Sequence, residues 1–340
     1  MSKKHIYGID LGTCNLKIFC KANGNVISEK NVAAFVGKKR LYAVGDAAYE
    51  MHEKAPEDIK ITFPVANGVI ADYDNMQVIV AEILERHVKH HGRGSEFIIS
   101  VPTDITEVEK KAFYDVFYKS KLRPREVLLC EKPIADGIGM DLDVGSPIGY
   151  MIVNMGADTT EISVTSMGGL VISELLHFGG KRIDESIVSH LKRKYNLFIG
   201  ERTACQLKES LGSAIADHEE MKGVAVGRDV VSGLPIEMEI TSTMIYEAVK
   251  DSLNSICNSI RLVLERTPPE LAKDVKASGI YLTGGSSKIN GLSELITQLT
   301  SIQVNTCESP EESAVRGLGK IMSEESLKKL AYSMDRRIYT

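Results

Sequence analysis

Two short polar turns contain the residues whose types and spacing suit phosphate chemistry. The first spans residues 10–15 and has Asp10 as its only carboxylate, and the second spans residues 156–160 and ends in two threonines. Turns made of small and hydroxyl residues expose backbone N–H groups that can bind phosphate oxygens. For either turn taken alone, a glycine that merely permits a tight hairpin is the favoured explanation, and phosphate binding stays open as the alternative.

Two charged residues, one in the first turn and one after it, indicate which ligands this turn could bind. Mg²⁺ prefers one or two carboxylates together with phosphate oxygens and waters, so Asp10 is the candidate metal residue. Lys17 lies further along the chain and could contact a phosphate. Neither turn has the spacing of a Walker loop or of the GxGxxG dinucleotide fingerprint. P-loop and Rossmann chemistry are therefore disfavoured.

Alternating strands and helices are predicted to position these turns. Apolar patterning predicts strands over 6–10, 16–20, 97–101, 127–130, 150–156, 161–165 and 279–283, and helices over 76–88, 182–195 and 244–266. Thr106 followed by Glu109 predicts a capping box at the start of another helix. Residues 323–340 are predicted to form a charged helix with a frayed tail. Because a strand–turn–strand unit occurs near residue 10 and again near residue 155, we expect two related α/β halves.

Composition sets the class of protein. The chain has 340 residues, of which 43% are hydrophobic and 26% charged, and its net charge is −5. These values are typical of a soluble globular protein with about two domains. Without a basic excess, nucleic acid is not an expected partner. No apolar run reaches the ~20 residues that span a bilayer, and six scattered cysteines favour a reducing, cytoplasmic location.

Five segments occur in an order that is typical of one superfamily. They are residues 8–13, 156–161, 179–180, 200–204 and 282–285. This order resembles the actin, heat-shock chaperone and sugar-kinase superfamily. Residues 67–73 (NGVIADY), 106–111 (TEVEKK) and 264–271 (LERTPPEL) are similar to segments of the MreB family of bacterial actins.

The resemblance implies an α/β, actin-like fold in which two RNase H-like domains surround a nucleotide cleft. Domain I is expected over residues 1–146 plus about 315–340, and domain II over 147–314. The implied cofactors are ATP or ADP with Mg²⁺, the metal being served by Asp10. The implied nucleotide-binding residues are Gly12, Thr13, Cys14, Asn15, Lys17, Gly156, Ala157, Asp158, Thr159, Gly179, Gly180, Lys208, Gly284, Gly285 and Ser286.

Departures from the family pattern fall at the residues expected to hydrolyse ATP. MreB usually has a Glu-Glu-Pro segment whose second Glu positions the attacking water, but here Lys132 follows Glu131. Thr159 and Glu131 are the candidate catalytic residues, although Glu131 is expected to point away because neighbours on an extended segment face opposite sides. Asn154 stands where the family usually has Asp. An ammonium group only donates hydrogen bonds, so we expect at most a slow ATPase.

Asp158 supports a stricter alternative. It lies in the second turn, where the family usually has glycine, and a carboxylate beside a triphosphate repels it unless a cation intervenes. The chain would then bind no nucleotide.

The resemblance implies that the chain polymerises into a filament that scaffolds cell-wall synthesis and cell shape. Expected partners are further copies of the chain, other MreB paralogues, and proteins of cell-wall elongation and membrane morphogenesis. Residues 90–95 lack the bulky apolar pair with which MreB often touches membrane, so contact with the inner face of the membrane is expected to be weak or indirect.

Three rival functions remain. One is a regulatory, non-hydrolysing paralogue that co-assembles with another MreB or caps it. A superfamily kinase needs an acceptor pocket for which the chain leaves little room. A chaperone ATPase needs a separate β-rich substrate domain, which is missing.

Overall fold

The computed structural model describes residues 5–37, 40–88, 94–216 and 220–334. Two compact units are present. One comprises Met1–Ile148, Thr165–Leu175 and Glu311–Thr340, and the other comprises Gly149–Val164 and Leu176–Pro310. The domain boundaries expected at residues 146 and 314 stay a prediction, because compactness alone does not show that a segment folds independently.

Strands and helices alternate over most of the described residues. The strands are β1 (Ile6–Leu11), β2 (Asn15–Cys20), β3 (Asn25–Lys30), β4 (Ala33–Val36), β5 (Arg40–Val44), β6 (Ile59–Thr62), β7 (Val65–Ala66), β8 (Val69–Ile70), β9 (Glu96–Val101), β10 (Glu126–Glu131), β11 (Tyr150–Met155), β12 (Thr160–Ser166), β13 (Gly169–Leu176), β14 (Leu197–Phe198), β15 (Lys222–Asp229), β16 (Pro235–Thr241), β17 (Ile280–Thr283) and β18 (Val304–Asn305). The α-helices are α1 (Asp46–Tyr49), α2 (Tyr73–His87), α3 (Glu107–Tyr118), α4 (Lys132–Gly139), α5 (Gly180–Tyr195), α6 (Glu201–Leu211), α7 (Ser242–Arg266), α8 (Pro269–Ser278), α9 (Leu292–Thr300) and α10 (Ser313–Ser323). Short 3₁₀ turns lie at Gly285–Lys288, Pro310–Glu312 and Lys328–Leu330.

Two sheets share one strand order. The first has the order β10-β9-β1-β2-β3, and the second, taken from its corresponding edge, has the order β18-β17-β11-β12-β13. In the first sheet β9 runs parallel to both β1 and β10, whereas β2 is antiparallel to β1 and β3. In the second sheet β17 runs parallel to β11 and β18. The matching order confirms the predicted internal duplication.

The apolar run in β9 is explained by burial on both faces of its sheet. Phe97, Ile99 and Val101 belong to one apolar cluster, which also contains residues of α2 and α3. Ile98 belongs to a second cluster, which includes Ile134 of α4 and other residues of α4 and α10. Side chains alternate between the faces of a strand, so a strand covered on both sides must be apolar throughout.

Local hydrogen bonds start α3 where the sequence predicts. The Thr106 side chain accepts the backbone N–H of Glu109, and the Glu109 carboxylate accepts the N–H of Thr106 at 2.7 Å. The capping box is therefore confirmed. The long helix predicted over 244–266 is also confirmed, because α7 spans Ser242–Arg266.

The charged helix predicted over 323–340 is wrong over the residues that the structure describes. Helix α10 ends at Ser323, and the chain then forms only a 3₁₀ turn at Lys328–Leu330. Tyr332 exchanges backbone hydrogen bonds with Leu129 of β10, at 2.7 and 2.9 Å. The free edge of β10 supplies these bonds, and a continuing helix would forgo them.

The loop considered for membrane contact lies mostly outside the described residues, because these omit 89–93. Among the described residues, no helix combines the length and apolar character needed to cross a membrane.

Candidate functional site

Strand register surrounds Asp10 with polar partners in the first unit. Asp10 lies opposite Lys17 on β2 and opposite Ser100 on β9. Its side chain is buried, with the residue only 5% exposed. Ser100 Oγ donates to Asp10 Oδ1 at 2.8 Å, and Lys17 Nζ lies 3.6 Å from Oδ2. Cross-strand neighbours thus bring together residues that are far apart in sequence.

Lys132 completes this group, which we call the Asp10 cluster (Asp10, Lys17, Ser100 and Lys132). Lys132 is the first residue of α4, and its Nζ lies 3.0 Å from Asp10 Oδ1. Burial raises the pKa of Asp10, but the ammonium groups of Lys132 and Lys17 and the hydrogen bonds from Lys132 and Ser100 outweigh it, so that pKa lies well below its usual range. Asp10 is therefore an ionised carboxylate beside two ammonium groups.

Glu131 points to other partners. Its Oε1 accepts a hydrogen bond from Lys110 Nζ at 3.1 Å and another from Tyr332 Oη at 2.8 Å. Lys132, the next residue, instead contacts Asp10. Adjacent side chains at the end of an extended strand face opposite sides, which explains the difference.

Residues 12–15 of the predicted phosphate loop (10–15) are held in place by the end of β3 and the residue after it. Asn31 donates its side-chain N–H to the Gly12 carbonyl and its backbone N–H to the Cys14 carbonyl, both at 2.9 Å. Lys30 Nζ lies 3.3 Å from Cys14 Sγ. Thr13 is buried, and Asn15 begins β2. These contacts fix the loop's backbone.

In the second unit, the turn between β11 and β12 is closed by a backbone bond. The Gly156 N–H donates to the Thr159 carbonyl at 2.8 Å, and Ala157 and Asp158 lie within the turn. The Gly156 carbonyl accepts the Gly180 N–H at 3.0 Å and the Ser286 hydroxyl at 2.8 Å. Three predicted segments therefore meet at one carbonyl group.

Lys208 joins the same part of the second unit. Its Nζ donates to the Gly180 carbonyl at 3.0 Å and lies 2.8 and 3.0 Å from the two carboxylate oxygens of Asp184. Burial raises the pKa of Asp184, although the Lys208 ammonium opposes that rise. A Cβ on Gly180 would lie 2.5 Å from Ser286 Oγ and 3.2 Å from Lys208 Nζ, so this close packing requires glycine.

Two further features lie beside the turn between β11 and β12. Lys181 Nζ lies 2.9 Å from Asp158 Oδ1, and the Lys181 N–H donates to the Ala157 carbonyl at 2.8 Å. A cation therefore accompanies the Asp158 carboxylate, which the stricter alternative expects to repel nucleotide. Gly179 precedes α5, and Gly284 and Gly285 lie between β17 and Ser286.

Comparison with known proteins assigns the family. The MreB/Mbl protein family model matches residues 4–330. This chain belongs to the MreB/Mbl family. It is 36% identical over 319 residues to the cell shape-determining protein Mbl of Bacillus subtilis (strain 168), covering 93% of this chain and 95% of that protein. It is 35% identical over 321 residues to the cell shape-determining protein MreB of Escherichia coli (strain K12), covering 92% of each.

Solved structures agree with the family. The crystal structure of MreB5 of Spiroplasma citri bound to ADP matches with a TM-score of 0.90 and 28% identity, covering 96% of this chain and 98% of that one. The MamK double helical filament matches with a TM-score of 0.79 and 22% identity, covering 95% and 99%. The predicted α/β, actin-like fold is confirmed.

The Mg²⁺ expected for an MreB/Mbl protein does not fit at Asp10, because both carboxylate oxygens already have partners. Oδ1 already interacts with Ser100 and Lys132, and Oδ2 faces Lys17. At an effective dielectric constant of about 20, two unit charges 4 Å apart interact by ~4 kcal/mol, so a divalent ion at that distance from one ammonium is repelled by about twice as much. Within the described ranges, no three His, Cys, Asp or Glu residues are grouped to hold a metal.

Sequence patterns missed several residues that position this MreB/Mbl site. Ser100 had a signal, because it is the polar member of the apolar run 97–101. Asn31 and Tyr332 had none, since their roles depend on contacts between distant segments.

Proposed function

We propose that this chain is a cytoskeletal filament protein of cell shape that binds ATP or ADP and hydrolyses ATP far more slowly than a typical MreB. Family membership supports the filament and cell-shape role. MreB5 of Spiroplasma citri was crystallised with ADP and with AMPPNP, and MamK forms a double helical filament. The proposed partner is a second copy of the chain, with proteins of cell-wall elongation as further partners.

One observation supports slow hydrolysis above the others. Lys132, at the place of the water-positioning Glu, binds Asp10 through its ammonium group. Glu131 is meanwhile held by Lys110 and Tyr332. A group that positions or deprotonates the attacking water must accept a hydrogen bond from it, and an ammonium group has only donors.

The remaining residues are proposed to bind and orient the nucleotide. Backbone N–H groups of residues 12–15 and 156–159 would donate to phosphate oxygens, and Thr159 would orient a water near the terminal phosphate. Gly179 and Gly180 would lie on the sugar–phosphate side, and Lys208, Gly284, Gly285 and Ser286 would lie near the adenosine. The ion pair between Lys181 and Asp158 argues against the version in which Asp158 excludes nucleotide.

Assembly and binding are tested together on the purified chain. We expect pelleting and electron microscopy to show filaments with ATP or ADP, and calorimetry to show binding of both nucleotides. A chain that binds neither nucleotide under any condition would contradict the proposal.

A regulatory paralogue is the second candidate, and Lys132 is the observation that favours it, because a subunit without turnover could slow disassembly of a mixed filament. Light scattering of the chain alone and mixed with a hydrolysing MreB separates the two functions. Assembly of the chain alone supports the scaffold. Assembly only in the mixture, or inhibition of the other MreB, supports the regulator.

A further inference from the structure

We infer that this chain binds adenine nucleotide without a divalent cation, with Lys17 and Lys132 supplying the positive charge beside the phosphates. The inference rests on the proposed nucleotide binding and concerns the first unit alone. It is carried by the geometry of the Asp10 cluster.

Asp10 already forms ion pairs with Lys132 and Lys17 in the folded chain. Lys132 Nζ at 3.0 Å and Ser100 Oγ at 2.8 Å share Oδ1, while Lys17 Nζ lies 3.6 Å from Oδ2. A cation or its bound water would have to displace a charged donor from a carboxylate that is 5% exposed. Removing one partner of a buried ion pair leaves the other uncompensated, which is strongly unfavourable.

The same cluster includes Asp10, the first residue of the predicted phosphate loop (residues 10–15). Asp10 lies two residues before Gly12 in the chain, and a Cβ on Gly12 would lie 3.9 Å from Asp10 Oδ2. The cluster thus places two ammonium groups, those of Lys17 and Lys132, beside one carboxylate. Charge-assisted hydrogen bonds from lysine to phosphate are short and strong, so the two lysines would supply positive charge beside the phosphates without a metal.

The test compares ADP binding by calorimetry in excess EDTA and in excess MgCl₂, using the full-length chain stripped of nucleotide. We expect the two dissociation constants to agree within about threefold. Binding that is weakened more than about tenfold by EDTA overturns the inference while leaving the proposed nucleotide binding intact. Absence of binding in both buffers overturns both.

A matched pair of variants assigns the effect to Lys132. Lys132→Gln removes one ammonium from the cluster, and we expect its affinity for ADP in EDTA to fall at least about tenfold. Lys222→Gln removes an exposed ammonium that pairs with Glu239 on β16, and we expect no change. Thermal unfolding of both variants checks that they are folded. Equal affinities for the two variants would contradict the role of Lys132.

Direct metal retention gives a second readout. The ADP-loaded chain is incubated with Mn²⁺ and passed through a desalting column, and the protein fraction is analysed for manganese. We expect far less than one ion per chain. Stoichiometric Mn²⁺ overturns the inference.

Discussion

Lys132 changes the chemistry of the site by exchanging an acceptor for a donor. The family's Glu would accept a hydrogen bond from water, whereas the Lys132 ammonium binds the Asp10 carboxylate at 3.0 Å. Glu131 is directed elsewhere, since its Oε1 accepts hydrogen bonds from Lys110 and Tyr332. Under the proposed function, this exchange would slow hydrolysis without removing the residues proposed to bind nucleotide.

Restoring the family residues should therefore restore turnover. We expect Lys132→Glu combined with Asn154→Asp to raise single-turnover ATP hydrolysis, with Mg²⁺ present, by about 10²-fold or more. The physical reason is that the new carboxylate accepts a hydrogen bond from water and no longer neutralises Asp10. Lys132→Gln with Asn154→Asp is the control, because it removes the ammonium without adding an anionic acceptor, and we expect little gain. Wild-type turnover at the level of an ordinary MreB would contradict this account.

Asp10 gives a second prediction at this scale, concerning stability and pH. Its native pKa lies below the unfolded value of about 3.9, so the ionised form stabilises the fold above that pH. This contribution fades as the pH falls from about 4 toward the native pKa. We expect Asp10→Asn to lower the free energy of unfolding by about 3–5 kcal/mol near pH 7, because two ammonium groups lose their buried counterion.

Urea unfolding at about pH 7 and about pH 3 checks both parts. The gap between wild type and Asp10→Asn should narrow at the lower pH, because Asp10 of the unfolded chain binds a proton below about pH 3.9 while Asp10 of the native chain stays ionised. A gap of the same size at both values would show that the charge of Asp10 is not the cause. Asp10→Asn combined with Lys132→Met should recover part of the loss, because one ammonium is then removed.

At the scale of elements, α4 and α10 pack together through glycine. A Cβ on Gly317 would lie 1.8 Å from the Ala135 carbonyl oxygen, and a Cβ on Gly139 would lie 2.0 Å from the Ser313 carbonyl oxygen. Ser313 Oγ also donates to Asp136 Oδ1 at 2.6 Å. The two helices approach as closely as their backbones allow, and α4 is the helix that begins with Lys132.

We expect Gly317→Ala to destabilise the chain by about 1–3 kcal/mol, since an inserted methyl group must push two backbones apart. Gly145→Ala is the matched control, because the nearest atom to its added Cβ, Asp143 Oδ1, is at an ordinary 3.5 Å. Urea unfolding of both variants measures the difference. Equal stabilities would mean that the helices can separate at no cost.

At the scale of the whole molecule, the hairpin of β15 and β16 exposes several apolar side chains. Val224, Val226, Val231 and Leu234 are each at least 60% exposed, and Val231 reaches 82%. Exposed apolar groups that cluster in this way mark interaction surfaces. Under the proposed self-assembly, we expect this hairpin to contact a second copy of the chain.

Val231→Glu should then lower the fraction of protein that pellets with nucleotide, while leaving the thermal unfolding midpoint nearly unchanged, because surface substitutions usually alter stability by less than about 0.5 kcal/mol. Val108→Glu is the control, since Val108 on α3 is 79% exposed and lies outside the hairpin. An equal effect of both substitutions on pelleting would exclude a specific role for the hairpin.

Sequence alone determined the features that depend on neighbouring residues. Hydrogen bonds between Thr106 and Glu109 begin α3 as predicted, and the repeated strand–turn–strand units lie in sheets of matching order. Asp10 and Lys17 were recognised by residue type, because they flank one turn. Such features require contacts only within a few residues, so their patterns are visible in the chain itself.

Tertiary structure alone decided how these residues are used. Ser100 reaches Asp10 across 90 positions, and Tyr332 reaches Glu131 across 201. These contacts require a particular strand register and the docking of the tail on β10, and each depends on packing summed over a whole sheet. No local pattern encodes that sum, which is why the ammonium of Lys132 beside Asp10 became visible only in the folded chain.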